Sequence, residues 1–331
     1  MNLSSNEIIE VTNRFDLPKG NIKRLRLATS RIAWLVAGGR VMISLDSGCT
    51  WHDRTPANFP ADYLQSKAIS AINSSTCWLL ASYASMDLRI LHTTDSGNTW
   101  SENRRLFAQK RFIVAENIEF VDENHGWVLF SEANGNRMQS TLWRTVDGGH
   151  QWTELQLKTS GTLQQTGFIS PTMGWICEVR FAMKRNRYTT IFHSTNDGGL
   201  TWETVSRLKG KVLDMCVLPT GKIVVCGARG LVAYSSDSGR TWAISEPCTR
   251  MAVESLDIRG ELGIAAGTSD LIHSTRSVVL LLTRNGGRIW RRLPSPIQAA
   301  VVNVFLTGWE SGIIASPESV YRFRIRRTVA T

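Results

Sequence analysis

The sequence predicts an all-β fold, a seven-bladed β-propeller built from four-stranded antiparallel blades. Three observations carry this prediction. An eight-residue motif recurs six times, the segments between its copies alternate short apolar runs with turn residues, and the two ends of the chain together supply the strands of one further blade. The chain is therefore expected to form a closed ring of repeats.

The repeated motif is Ser/Thr-x-Asp-x-Gly-x-Thr-Trp, usually called an Asp box. Its successive acidic positions are separated by 49, 52, 50, 40 and 48 residues, and a period of this size indicates one supersecondary unit used repeatedly. The acidic and Trp positions are Asp46 and Trp51, Asp95 and Trp100, Asp147 and Trp152, Asp197 and Trp202, Asp237 and Trp242, and finally Asn285, in place of Asp, with Trp290.

The residue types of the box predict a structural role in a turn. An Asp carboxylate accepts hydrogen bonds from backbone amides a few residues ahead, and Gly adopts the positive φ that a tight turn requires. The hydroxyls of the Ser or Thr residues add further local hydrogen bonds. We expect the Trp to open the next strand and to pack beneath its own turn. Each box is thus predicted to latch a turn and not to bind a ligand.

The segments between boxes have the pattern of short β-strands. In the fifth repeat, apolar runs at residues 212–217, 222–226 and 231–234 are separated by Gly-containing turns, and residues 241–245 follow the box. Four antiparallel strands in about 45 residues match the size of one propeller blade.

The blade count follows from the two ends of the chain. After Trp290 there are three apolar runs, at residues 301–306, 312–315 and 320–325, and before the first repeat, near Ile22, there is one, at residues 7–11. These four strands make one blade, so the N-terminal strand is predicted to close the ring and to remove the exposed edges of an open array. A six-bladed fold with unpaired ends is the alternative.

We expect a single propeller domain over residues 1–331. It would comprise a closing strand and connection at 1–21, six Asp-box blades at 22–297 and three strands of the closing blade at 298–331.

Composition and motifs favour a non-catalytic protein without cofactors. Neither a secretory signal nor an apolar run long enough to span a bilayer is found, which predicts a cytoplasmic protein, or a periplasmic or lumenal one if a leader was removed. Cys and His show no spacing typical of metal ligands, so no metal is predicted. We expect a monomer.

A glycoside hydrolase is one alternative, because sialidases also carry Asp boxes. That family requires an Arg-Ile-Pro motif, three arginines, a Tyr/Glu nucleophile pair and an acid Asp. The nearest string here is Arg324-Ile325-Arg326, and no Tyr among the five can be assigned to a Glu. A sialidase-like hydrolase or a glycan-binding propeller therefore stays an alternative to a protein-binding role.

The order of motifs also resembles the photosystem II assembly and stability factor family. The strings that carry the resemblance are Gly126-Trp127 ahead of the third box, Gly174-Trp175 ahead of the fourth, and Gly308-Trp309 in the last blade. That family consists of seven-bladed propellers of plants and cyanobacteria, with relatives in non-photosynthetic bacteria. The resemblance implies a non-catalytic scaffold that grips a protein partner.

Charge placement predicts where a partner would bind. The chain has a net charge of +10, and the segments 103–111 and 180–187 are expected to form basic loops, free of acidic residues, on the face opposite the boxes. The candidate partner-binding residues are Arg104, Arg105, Lys110, Arg111, Arg180, Lys184, Arg185, Arg187 and Arg229. Because arginine predominates, paired contacts to carboxylates or phosphates are favoured. We rank an acidic protein or peptide segment first as partner, nucleic acid second and glycan third.

Overall fold

Seven four-stranded antiparallel sheets form a closed ring. The computed structural model describes residues 6–17, 22–57, 68–83, 87–107, 113–134, 137–245, 249–268 and 278–328. Within them the first strand of each sheet contacts the first strand of the next, and the last sheet contacts the first. The predicted seven-bladed propeller is confirmed, and the six-bladed alternative is wrong.

The blades follow chain order, with the strands of each counted outwards from the central channel. Blade 1 contains β2 (Ile22–Leu27), β3 (Ala33–Ala37), β4 (Arg40–Ser44) and β5 (His52–Asp53). Blade 2 contains β6 (Ala68–Ala71), β7 (Cys77–Tyr83), β8 (Asp87–Thr93) and β9 (Ser101–Phe107). Blade 3 contains β10 (Ile113–Phe120), β11 (Gly126–Asn134), β12 (Arg137–Thr145) and β13 (Thr153–Leu155).

The remaining blades repeat this plan. Blade 4 contains β14 (Thr162–Phe168), β15 (Gly174–Ala182), β16 (Arg187–Thr195) and β17 (Glu203–Lys209). Blade 5 contains β18 (Val212–Val217), β19 (Ile223–Gly227), β20 (Val232–Ser235) and β21 (Ala243–Ile244). Blade 6 contains β22 (Ser255–Arg259), β23 (Leu262–Thr268), β24 (Val278–Thr283) and β25 (Arg291–Leu293). Blade 7 contains β26 (Asn303–Gly308), β27 (Ser311–Ala315), β28 (Ser319–Thr328) and β1 (Asn6–Asp16).

The N-terminal strand β1 closes the ring as the fourth strand of blade 7. It pairs antiparallel with β28 from Asn6 opposite Thr328 to Asp16 opposite Ser319, with one irregularity in register. Strand β1 is therefore longer than the predicted residues 7–11. The Arg284 guanidinium forms ion pairs with both Glu7 and Glu310. The N-terminal strand and the first turn of blade 7 are thus both tied to blade 6.

Neighbouring blades pack through aromatic residues of the second strand. The ring of Trp78 stacks on Phe120 of blade 3 with centroids 3.7 Å apart, and Trp127 stacks on Phe168 of blade 4 at 3.6 Å. A Cβ on Gly126 would lie 2.5 Å from the Phe120 ring. Gly126 therefore precedes Trp127 because its lack of a side chain lets Phe120 lie flat against the preceding blade.

Side chains of the first strands form hydrogen bonds between neighbouring blades around the channel. Among the described residues, such hydrogen bonds occur at six of the seven blade junctions. Each joins a side chain in the first strand of one blade to a backbone group in the first strand of the next blade. The bonds are Phe120 N to Ser70 Oγ, Phe168 N to Glu119 Oε1, Gln165 Nε2 to Leu213 O, Leu256 N to Asp214 Oδ2, Leu306 N to Asp257 Oδ2 and Leu25 N to Asn303 Oδ1.

The closure can be tested by truncation. A variant lacking residues 1–16 loses β1, which leaves the edge of β28 unpaired, and exposed edges promote association. We expect a lower melting temperature and loss of the monodisperse species in size-exclusion chromatography with light scattering. The control lacks only residues 1–5, outside the described strand. Equal melting temperatures and equal masses for both truncations would contradict the closure.

Candidate functional site

The topology separates two faces of the ring. The six Asp-box turns lie between third and fourth strands and share one face, here called the box face, with the turns between first and second strands. The turns between second and third strands and the connections between blades lie on the opposite face, here called the connection face. The predicted partner-binding residues within the described ranges belong to segments that lead to the connection face.

Hydrogen bonds within each box hold its turn. In the fourth box, the Thr195 hydroxyl donates to Asp197 Oδ1 (2.8 Å) and accepts from Gly199 N (2.8 Å). Thr201 donates from its backbone N to Asp197 Oδ1 (2.9 Å) and from its hydroxyl to Oδ2 (2.5 Å). The Thr201 hydroxyl and amide, with the other turn donors, lower the pKa of Asp197 to about 2. The carboxylate is therefore engaged entirely within its own turn.

The divergent sixth box shows which contacts are essential. Asn285 Oδ1 accepts from the Thr283 hydroxyl (2.9 Å) and from Ile289 N (2.9 Å), as the Asp does elsewhere. Ile289 stands where four of the other boxes have Thr, so no hydroxyl requires a second carboxylate oxygen. The loss of Asp and the loss of Thr thus compensate each other.

The Trp of each box was predicted to be the first residue of the fourth strand, and this prediction was wrong. Each fourth strand begins at the residue after the Trp, as β17 does after Trp202, so the Trp does not open the strand. The indole N–H of Trp152 donates to Gly149 O (2.8 Å), beneath its own turn, whereas Trp100 donates to Arg54 O of the preceding blade (2.8 Å).

On the connection face, five cationic residues converge between blades 4 and 5. They line a depression of about 470 Å³, here called the blade 4–5 cleft, that no carboxylate lines. The five are Arg185 in the turn between β15 and β16, Arg187 at the start of β16, Lys209 at the end of β17, Lys211 in the connection to blade 5 and Arg229 in the turn between β19 and β20. None forms a salt bridge with another residue of the described ranges.

The cleft unites three of the predicted residues with two that the sequence did not suggest. Arg185, Arg187 and Arg229 were candidates. Lys209 ends β17 and is separated from Lys211 by a single Gly, so the two formed no basic run in the sequence. Only the folded ring brings them beside the β15–β16 hairpin. Lys184 is exposed in a 3-10 turn of the same hairpin but does not line the cleft.

Arg180 is held by a buried carboxylate and is not a free cation. It lies in β15, and its guanidinium donates to both carboxylate oxygens of the buried Glu178 (2.6 and 3.2 Å). Glu178 also accepts from Ser160 N and Gly161 N, and its Oε2 lies 3.1 Å from His193 Nε2. Glu178 thus fixes Arg180 and the connection between blades 3 and 4.

The predicted placement of several other basic residues in loops was wrong. Arg104 and Arg105 lie in β9, where they pair with Ile90 and Arg89 of β8, and Arg187 begins β16. Blade 3 lies between β9 and the blades that form the cleft, so Arg104 and Arg105 do not belong to the cleft. Lys110 and Arg111 lie outside the described residues.

The carboxylates of the central channel have structural partners. Glu119, Asp214 and Asp257 each accept a backbone hydrogen bond from the following blade. Burial raises the pKa of Glu119 and of Asp257. These are the acidic residues that line the channel cavity of about 250 Å³, and their engagement favours a role in holding the ring over acid–base chemistry.

Comparisons with known proteins agree with the propeller fold. The profile of the family described as Sortilin-Vps10 (sortilin, neurotensin receptor 3) matches residues 39–180. No curated protein matches the sequence significantly.

Among solved structures, the chain is similar to YCF48 bound to D1 peptide, with a TM-score of 0.66 and 19% identity over 94% of both chains. It is also similar to YCF48 from Cyanidioschyzon merolae, with a TM-score of 0.56 and 14% identity over 95% of this chain and 99% of that one. A GH74 xyloglucanase from Xanthomonas campestris gives a TM-score of 0.64 at 12% identity, over 96% of this chain and 53% of that chain. At these identities the similarities show a shared seven-bladed architecture.

Across the described part of the chain, no helix has the length and apolar character that crossing a bilayer requires.

The latch role of the box can be tested at Asp197. Asp197→Ala removes the acceptor for three donors and should lower the free energy of unfolding by about 1–2 kcal/mol. Asp197→Asn keeps Oδ1, as Asn285 does, and should cost less. Because folding lowers this pKa from 3.8 to about 2, the stability that ionised Asp197 supplies is present above pH 4 and lost as pH falls towards 2.

Urea denaturation of both variants and wild type, from neutral pH down to pH ~2, would measure these differences. Equal losses for Ala and Asn, or a loss that persists at the acid end, would contradict the latch.

Arg229 offers a test of strain in the cleft. Its backbone is left-handed (φ 58°, ψ 36°), which costs a non-glycine residue roughly 1–2 kcal/mol. Since the entropy of glycine in the unfolded chain offsets about 0.4–1 kcal/mol, Arg229→Gly should raise the free energy of unfolding by about 0.5–1 kcal/mol. The matched control, Arg187→Gly in β16, should lower it, because glycine destabilises strands. Thermal melts of both variants would show the opposite signs, and a loss of stability at both sites would contradict the strain.

Proposed function

We propose that the protein is a non-catalytic scaffold, of the photosystem II assembly factor type, that binds an acidic segment of a partner protein on its connection face. The observation that carries the proposal is the convergence of five cations in the blade 4–5 cleft with no carboxylate among the lining residues. Such a cleft favours a ligand that brings its own negative charge.

The arrangement of the cations suits carboxylates of a peptide. Three of the five are arginines, whose planar guanidinium groups pair with carboxylates through two parallel hydrogen bonds. They belong to the β15–β16 hairpin of blade 4 and to the β19–β20 turn of blade 5, so a segment lying across the junction would meet both. YCF48, which shares this fold, has been solved with D1 peptide bound, and this supports peptide binding as a use to which the architecture can be put.

The hydrolase alternative is less well supported. The similarity to the xyloglucanase covers 53% of that enzyme, and the channel carboxylates are occupied by backbone amides of the next blade. We therefore propose that the protein catalyses no reaction.

Charge reversal on the two faces tests the proposal. Arg185→Glu with Arg187→Glu removes two cleft cations, and the matched control is Arg240→Glu with Arg288→Glu, two exposed arginines of box turns. Both variants change the net charge equally. Proteins captured by wild type from a cell extract are identified, and the affinity for an acidic peptide from the captured partner is measured by fluorescence anisotropy at two salt concentrations.

We expect the cleft variant to lose at least about tenfold in affinity, because each exposed ion pair contributes about 0–1 kcal/mol and reversal adds repulsion. Raising the salt concentration should weaken wild-type binding through screening. The control variant should bind like wild type. Equal capture by the cleft variant and the control would show that the binding site lies elsewhere.

A further inference from the structure

The hairpin between β15 and β16 exposes apolar side chains beside the cleft. Ten large hydrophobic residues of the described chain are exposed, and three of them, Phe181, Met183 and Tyr188, belong to this hairpin. Six of the other seven lie in or next to turns of the box face, namely Leu45, Val146, Met173, Leu200, Ile289 and Trp309, and Ile244 is the last residue of β21 in blade 5. On the connection face, the described exposed apolar surface of this size is thus concentrated where the cations converge.

Phe181 and Tyr188 form an ordered pair, here called the aromatic ridge. They are opposite each other in the β15–β16 register, with ring centroids 4.6 Å apart, and the Lys211 ammonium lies 5.7 Å from the centre of the Tyr188 ring. The pair remains 46% and 41% exposed. Scattered single hydrophobic residues are usual on surfaces, but a contacting aromatic pair held across a hairpin is a preformed contact surface.

The ridge separates two depressions. The blade 4–5 cleft lies on one side, and a second depression of about 570 Å³, lined by Ser160, Gly161, Thr162, Gln164, Val179, Arg180 and Phe181, lies on the other. Tyr188 and Lys211 line both. Each depression has the volume for side chains of a peptide, and each carries cationic groups at its wall.

We propose that the aromatic ridge is a specificity element that selects an extended peptide in which a large apolar side chain is flanked by carboxylates. This inference rests on the proposed function and names the kind of segment that the cleft takes. An acidic segment crossing the ridge would place one carboxylate against Lys211 in the second depression and another against Arg185 or Arg187 in the cleft. Its apolar side chain would then cover the exposed parts of Phe181 and Tyr188.

A peptide suits this surface better than a nucleic acid does. Stacking of bases requires open aromatic faces, but the Tyr188 ring already has the Phe181 ring and the Lys211 ammonium as neighbours. The two depressions are concave and separated by the ridge, which matches alternating side chains of an extended chain more closely than a flat base.

Defined peptides test the inference. The probes are fluorescent synthetic peptides of equal length and equal negative charge that differ at one central position, which is glycine, leucine or phenylalanine. Wild type should bind the leucine and phenylalanine peptides about tenfold more tightly than the glycine peptide, because partial burial of an apolar side chain supplies that difference. Phe181→Thr with Tyr188→Thr should bind all three peptides with the affinity of the glycine peptide.

Met183→Thr is the matched control, because Met183 is 84% exposed on the same hairpin and lines neither depression. It should keep the wild-type preference. Equal wild-type affinity for all three peptides, or a preference that survives the double substitution, would overturn the inference. The proposed function would stand in that case if Arg185→Glu with Arg187→Glu still weakened all three.

Two further results are decisive. If wild type binds none of the peptides at low salt, both the inference and the proposed function are wrong. If it binds a single-stranded RNA oligonucleotide in preference to the peptides, and that binding requires Phe181 and Tyr188, then the ridge recognises bases and the peptide inference fails.

Discussion

The ring depends on one repeated contact, in which the second strand of a blade packs on the box turn of the next. The indole N–H groups of Trp78, Trp127 and Trp175 donate to backbone carbonyls at the fourth box position, Gly148 O, Gly198 O and Ser238 O, each at 2.9 Å. Residues at that position have positive φ. The Asp latch therefore does more than hold its own turn, because the turn it fixes presents the acceptor for the preceding blade.

Where the Trp is missing, the same packing persists without the hydrogen bond. A Cβ on Gly287 of the sixth box would meet Val224 of blade 5 at 3.0 Å, and one on Gly48 of the first box would meet Ile313 of blade 7 at 2.9 Å. The second contact crosses the closure of the ring. Small box glycines thus allow close approach at both junctions, which is a reason for the glycine to be kept in the divergent sixth copy.

The sequence was most informative where chemistry is local. Box turns, and strands such as β18 at Val212–Val217, followed from spacing and alternation within a few residues. The cleft depends instead on which hairpins and connections the ring brings together. Lys211 and Tyr188 are distant in the sequence, so no local pattern predicted that they would line the same cleft. The charge run at Arg104 was misplaced because basic residues are as compatible with an exposed outer strand as with a loop.

These contacts explain why the box face stabilises the ring whereas the connection face is available for binding. On the box face, the turn backbones and glycines are engaged by neighbouring blades, so substitutions there act on the ring itself. On the connection face, the β15–β16 hairpin extends beyond its blade, and its base is anchored by the buried Glu178 through Arg180 and two backbone amides. A rigid base with a free tip orders the cations without burying them, which lowers the entropy lost on binding. The face that the ring leaves unengaged is therefore the one suited to recognition.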